Sequence, residues 1–237
     1  MHSLVKRINK IKYNKDSNIK TFTSKTHGLK DIIFYNKRLK TLRLTGCKQI
    51  CDLIENIYPQ KKIKINDIGC CYFQLYKEIK LRKLNYNYYG YDIDEKFIKL
   101  GLSQFPELLK KFKVANVEKI IPRKTNITVL SATLQHCENP LKLLKNVFES
   151  TKDLIILRTW SGDKSKIQLI NDRKLVKVPL FINQYSYGDI ANIFIKNNFY
   201  PSFIPDKATN NSKSFKIYKN KKIYRKMLVI LGERVNL

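Results

Sequence analysis

Residues 66–74 read NDIGCCYFQ and follow the apolar run Ile63-Lys64-Ile65. Asp67-Ile68-Gly69 closes a short strand pattern, and beyond it Tyr72, Leu75, Tyr76 and Ile79 fall on one helical face. A strand that ends in Asp-x-Gly and runs into a helix is shaped to cradle a nucleotide-like group. A residue without Cβ lets the backbone approach a ligand closely, and a helix N-terminus favours negative charge. It is equally the shape of a plain strand-to-helix turn. Only one glycine stands where such loops usually carry two or three, so the rest of the chain has to decide.

Outward from this stretch the pattern is β-α-β. Strands are expected at 63–68, 88–93, 112–117, 127–133 and 153–160. Between them lie helical stretches at 72–83, at 95–111 with a break near Pro106, and at 139–150, where Leu141, Leu144, Val147 and Phe148 share a stripe. Two short helices over 29–58, broken near Thr45-Gly46 and ended by Pro59, precede the first strand. The last third reads as a polar connection over 161–184, a helix at 187–197, and strands at 200–208 and 222–233 joined by the turn-rich ATNNSKSFKIYKN. The expected fold class is α/β: three layers around a mostly parallel seven-stranded sheet that ends in an antiparallel β-hairpin. Residues 1–26 read as a polar N-terminal extension, and 27–237 as a single domain.

Bulk properties narrow the function classes. A chain of 237 residues with 43% hydrophobic content can bury a core, and no run approaches the length of a transmembrane helix. The basic N-terminus lacks a continuous apolar stretch, so a cytoplasmic protein without stable membrane insertion is expected. Five cysteines, two of them adjacent, do not describe a disulfide framework or a zinc site; buried, reduced thiols are expected. The formal charge is +28, yet only nine of the 47 basic residues are arginine. Two readings stand: dispersed solvated lysines from a composition that prefers Lys to Arg, or a functional basic face for nucleic acid.

The crevice beyond the carboxyl ends of parallel strands is where such sheets bind ligands. The second strand ends at Gly90-Tyr91-Asp92-Ile93-Asp94, with Asp92 placed to accept hydrogen bonds from ribose hydroxyls. Asp67 and Asp92 also suit plain helix capping. Taken in order, NDIGCCYFQLYKEI, YYGYDIDEKFI, FKVANVEKI, ITVLSATLQHCENPLKLLKNVFES, DLIILRTW and the closing hairpin resemble the successive motifs of the class I S-adenosylmethionine-dependent methyltransferases over about 60–234. The resemblance implies a Rossmann-like fold and S-adenosyl-L-methionine as cofactor. It places Asp67 and Gly69 against the methionine part, Asp92 on the ribose and Ile93 on the adenine, with Cys70 and Cys71 also at the cofactor. Asn116 and Val117 would stand at the adenine edge, and Ser131 to Leu134 would floor the site. Cys71 and Phe73 replace the family's second and third loop glycines, which is expected to narrow the room beside the cofactor.

His136 is the candidate general base, or else a packed, hydrogen-bonded ring. Trp160, Phe181, Tyr185 and Tyr187 read either as pocket wall or as core. Arg38 and Arg43 are candidates for the cofactor carboxylate, and Asp163 and Asp189 offer no metal-ligand spacing. The fourth motif reads SATL rather than Asn/Asp-Pro-Pro-aromatic, and no Pro-Cys follows, so exocyclic amide and cytosine C5 acceptors are not expected. That leaves hydroxyl or amine acceptors on a small molecule or glycan precursor, with 161–184 as the substrate cover. The alternatives are an RNA methyltransferase using the basic surface, and a degenerate fold that binds without catalysis.

Overall fold

The structure, a computed structural model, describes residues 37, 39–40, 43–59, 61–170, 180–209, 215–218, 221–223 and 226–235. The polar extension 1–26, Arg38 and residues 171–179 of the expected cover lie outside the described residues.

In chain order the strands are β1 (Ile63–Ile68), β2 (Tyr86–Asp92), β3 (Phe112–Val114), β4 (Thr125–Ser131), β5 (Thr151–Ser161), β6 (Leu169–Ile170), β7 (Leu180–Phe181), β8 (Phe199–Pro205), β9 (Phe215–Tyr218), β10 (Lys221–Ile223) and β11 (Lys226–Arg234). The α-helices are α1 (Thr45–Ile57), α2 (Gln74–Leu81), α3 (Glu95–Leu102), α4 (Pro140–Ser150) and α5 (Tyr187–Ile195). Seven strands form one sheet in the order β3-β2-β1-β4-β5-β11-β8. β1 pairs in parallel with both β2 and β4, whereas β11 runs antiparallel between β5 and β8. The chain therefore reverses its direction of winding at β1, and a crevice opens between the ends of β1 and β4.

Both sheet faces are covered, which is why the central strands carry β-branched and aliphatic residues in near-continuous runs. Ile65, Ile127, Val129 and Ile156 pack with Ile50, Ile54, Leu75 and Ile98 of α1–α3. Their neighbours Ile68, Leu130, Ile155 and Leu157 point the other way, against Leu143, Val147, Ile190 and Phe194 of α4 and α5. Capping sets the helix starts: the side chains of Asp94, Asn139 and Ser186 accept backbone N–H groups at the heads of α3, α4 and α5.

Several expected boundaries shift for identifiable reasons. The break expected near Thr45-Gly46 falls at Arg43-Leu44, just ahead of α1, and Gly46 lies in its first turn, where a Cβ would come 3.3 Å from the Arg158 guanidinium. That guanidinium forms a two-pronged pair with Asp206, at 2.7 and 3.2 Å. Burial raises the Asp206 pKa, but the Arg158 and Thr209 hydrogen bonds outweigh it and hold the carboxyl below its ordinary value. β3 stops at Val114 because Asn116 turns the chain, its Oδ1 accepting the Glu118 N–H at 2.8 Å. The described residues of the connection 161–184 hold a short ribbon: β6 pairs with β7, and Lys166 bridges Gln184. Likewise 208–220 holds β9, which pairs with β10 in a separate ribbon, so the last sheet strand begins at Lys226 rather than Lys222. Among the described residues no helix is long and apolar enough to cross a membrane, and no cluster of His, Cys, Asp and Glu suits a metal ion.

Candidate functional site

Beyond the carboxyl ends of β1, β2 and β4 lies a cleft of about 340 Å³, at the point where the strand order reverses. Its walls come from the loop after β1, the end of β2, the turn after β3 and the loop after β4. The Asp92 carboxylate joins two of these walls. Its Oδ2 accepts the Cys71 N–H at 2.8 Å and its Oδ1 accepts the Asp94 N–H at 2.9 Å. The carbonyl of Tyr91 also accepts the N–H groups of Gly69 and Cys70. Burial raises the Asp92 pKa, and the backbone N–H donors oppose that shift.

The loop after β1 keeps a glycine-like backbone without the glycines. Gly69, Cys71 and Phe73 have φ of 74°, 52° and 63°, all in the left-handed region. For the two non-glycine residues this costs roughly 1–2 kcal/mol each. Phe73 offsets its share by burying its ring completely, which contributes about 1.5–3 kcal/mol. The ring lies outside the cleft lining, in a slot between α3 and β2 that exists because Gly101 and Gly90 face it. A Cβ at Gly101 would come 2.3 Å from the Phe73 ring, and one at Gly90 would come 3.0 Å from it. Phe73 therefore does not narrow the cleft as expected. Cys71 does line it, its thiol pKa raised by burial and by the neighbouring Asp92 charge.

The loop after β4 forms the opposite wall. Ala132 also has a positive φ, 61°, and its N–H donates to the Arg158 carbonyl at 2.8 Å. Thr133 Oγ1 donates to the Ile68 carbonyl, tying this wall to the end of β1 at 2.9 Å. The turn 134–136 then presents His136 to the cleft. His136 Nδ1 lies 2.9 Å from the Phe181 carbonyl. A carbonyl only accepts, so Nδ1 carries the proton and the neutral ring has its lone pair on Nε2. The base of the cover is pinned beneath the same turn. Asn183 Nδ2 donates to the Cys137 carbonyl at 2.8 Å, and Tyr185 Oη donates to the Leu134 carbonyl at 3.0 Å.

Of the residues singled out in the sequence, Gly69, Cys71, Asp92, Ile93, Asn116, Val117, Ser131 and His136 all line the cleft. Asp67, Cys70 and Leu134 do not. Asp67 lies within β1 with its side chain buried, accepting the Tyr88 hydroxyl at 2.7 Å. Cys70 packs beneath Gly90, and Leu134 is fully buried. Arg43 is committed elsewhere, bound to Glu78 at 2.6 and 3.0 Å. Phe181 and Tyr185 are core residues, and Tyr187 packs on Phe203, whereas Trp160 stands edge-on to His136 at 6.0 Å. Sequence reasoning missed Glu118, which lines the cleft and accepts the Glu138 N–H at 3.0 Å. Its only signal was a carboxylate two positions after the turn at Asn116. Asn183 gave none: a lone buried amide in FINQY looks like any loop asparagine.

A family model described as "Methyltransferase domain" matches residues 66–153, the span from within β1 into β5. No curated protein matches the sequence. Among solved structures, the magnesium protoporphyrin IX methyltransferase of Synechocystis PCC 6803, with bound S-adenosylmethionine, is 14% identical. It superposes with a TM-score of 0.53 over 89% of this chain and 86% of that one. The 1,6-didemethyltoxoflavin-N1-methyltransferase of Burkholderia thailandensis, with bound S-adenosylhomocysteine, gives 0.57 at 10% identity over 87% of each chain. An S-adenosylmethionine-dependent methyltransferase of Clostridium acetobutylicum gives 0.58 at 11% identity, over 87% of this chain and 98% of that one. At such identities the likeness establishes the fold.

Two outcomes follow from the loop. Gly101→Ala should destabilise the chain by about 1–3 kcal/mol in urea unfolding, because its Cβ meets the Phe73 ring. Adding Phe73→Leu should recover part of that loss, and an unchanged midpoint for Gly101→Ala would refute the slot. Burial pushes the Asp67 carboxyl up to about 7, so the folded chain holds this proton more tightly than the unfolded one. Stability from this group is therefore greatest below about pH 4 and is lost as pH rises toward 7. Between about pH 5 and 7.5 the wild type should lose stability relative to Asp67→Asn; a constant difference across that window would contradict the assignment.

Proposed function

We propose that this chain, which carries a methyltransferase domain of the class I Rossmann-like fold, is an S-adenosylmethionine-dependent methyltransferase. Its acceptor is a hydroxyl or amine of a small molecule or glycan precursor. The observation that carries this reading is the lining of the cleft. It combines the Asp92 latch, the left-handed loop and His136, and it contains no Lys or Arg among the described residues.

The residues present fit the cofactor. A cleft of about 340 Å³ is within the range that holds small ligands. Gly69 packs so closely on Thr133 that a Cβ would fill the space between the two walls. A carboxylate offers about four acceptor sites, and Asp92 uses two of them on backbone N–H groups. The remainder suit a pair of ribose hydroxyls. Ile93 and Val117 provide apolar contact for the adenine, Asn116 provides an amide for its edge, and Gly69, Cys71 and Ser131 border the methionine part. When bound, the cofactor supplies a methyl group activated on a sulfonium.

The chain's own contribution is placement and proton handling. Holding acceptor and methyl in line supplies much of the rate by proximity. A hydroxyl acceptor must also lose a proton, and the tautomer fixed by the Phe181 carbonyl leaves the lone pair of His136 on Nε2 to receive it. The pinned base of the cover orients that ring and, with Trp160 beside it, borders the acceptor. Solved structures of the same fold act on a porphyrin and a toxoflavin precursor, in keeping with a small-molecule acceptor here.

The test is a transfer screen with methyl-labelled cofactor against pools of sugars, amines, phenols and RNA. Label should appear in a small-molecule pool; label confined to RNA would move the acceptor class. On a hydroxyl acceptor, His136→Ala should lower kcat by about 10²–10⁴ while cofactor affinity stays within about twofold. Unchanged turnover would retire His136 as the base.

A further inference from the structure

The two concave sites at opposite ends of the sheet differ in the charge of their linings. The cleft at the carboxyl ends of the strands has three carboxylates in its lining, Asp92, Asp94 and Glu118, and no Lys or Arg among the described residues. At the opposite end lies an open groove of about 650 Å³ lined by Lys124, Lys145, Lys152, Lys196 and Arg234, with Glu149 as its one carboxylate. With 47 basic residues in 237, about two would be expected among the ten that line the groove, and five are present.

The fold builds this groove. Lys124 immediately precedes β4, Lys152 is the second residue of β5, Lys145 lies on α4, and Lys196 follows α5. Arg234 closes β11 and is held rather than loose. Its Nη2 donates to the carbonyls of Phe148 and Thr151 at 3.0 and 2.7 Å, and its guanidinium sits 4.3 Å from the Phe199 ring centre. The ends of α4 and α5 at the groove are C-terminal, so their dipoles take up part of the positive charge. Four exposed lysines and a fixed guanidinium against one carboxylate among the described residues still leave a clear excess.

We infer that this groove is a docking site for the phosphate backbone of single-stranded nucleic acid, separate from the methyl-transfer cleft. Five cationic groups against one carboxylate match the closely spaced phosphates of a single strand. Phe148 and Phe199 are buried and leave no open aromatic surface for stacking bases. Recognition therefore rests on charge, is insensitive to sequence and falls steeply with salt. Lys124 and Ser131 in the cleft lie seven positions apart along β4, a distance of roughly 20 Å at strand rise. The bound strand is accordingly a tether and not the methyl acceptor.

The experiment is fluorescence anisotropy of a labelled single-stranded RNA of mixed sequence, titrated with the full chain over a salt series. The wild type should bind at low salt with a linear log–log salt dependence. Lys124→Gln/Lys145→Gln/Lys152→Gln should lower that slope by about two, since each lost phosphate contact on a single strand removes about 0.7. The equally exposed triple Lys96→Gln/Lys113→Gln/Lys164→Gln, far from the groove, should leave it nearly unchanged. Circular dichroism confirms that both triples fold. Equal losses in the two triples would assign binding to bulk charge and overturn the inference, as would no RNA binding at low salt. Loss of binding to phosphatidylserine vesicles in the groove triple, with RNA binding intact, would overturn it in favour of a membrane.

Discussion

The site depends on one carboxylate. Asp92 ends β2, and its two oxygens take the N–H groups of Cys71 and Asp94. Without that anchor the loop after β1 would have no reason to adopt left-handed backbone at two residues that carry side chains. Charge-assisted hydrogen bonds of this kind are about twice as strong as neutral ones. They therefore help offset the roughly 1–2 kcal/mol of strain at each of Cys71 and Phe73. The rest follows outward: the latched loop fixes one wall, Thr133 joins it to the other, and His136 stands on that second wall.

The loop after β1 holds its left-handed backbone with a single glycine through a local exchange of bulk. In loops of this type a glycine commonly permits close packing of helix on strand. Here the bulk sits in the loop, as Phe73, and the missing bulk sits on the neighbours, as Gly90 and Gly101. The result preserves the backbone path with a buried aromatic contact: the Phe73 ring lies 6.2 Å from Tyr88, edge-on at 85°. The divergence in the first motif is thus a change in how the loop is supported, and it leaves the cleft open.

Much of this was legible in the sequence because it depends on short-range pattern. The alternation of strands and helices and the closing antiparallel pair follow from apolar period. The resemblance of the motifs in order points to Gly69, Asp92 and the turn bearing His136, which line the cleft. What was not legible depends on side-chain direction. NDIGCCYFQ reads the same whether Phe73 points into the cleft or away from it, and only the distant Gly101 decides. Nor does the sequence show that Asp67 faces Tyr88 or that Arg43 faces Glu78. The segregation of charge was illegible for the same reason, since lysines scattered along the chain converge only through the ends of β4, β5, α4, α5 and β11.

The central claim is that the glycine-poor loop, latched by Asp92, still forms a cofactor site. Calorimetric titration with S-adenosylmethionine tests it most directly, on the wild type and on Asp92→Asn, whose amide would turn a donor toward a backbone donor. Binding to the wild type with a Kd below about 1 mM, weakened at least about tenfold in Asp92→Asn, is the predicted result. No measurable heat for the folded wild type at millimolar cofactor would contradict it.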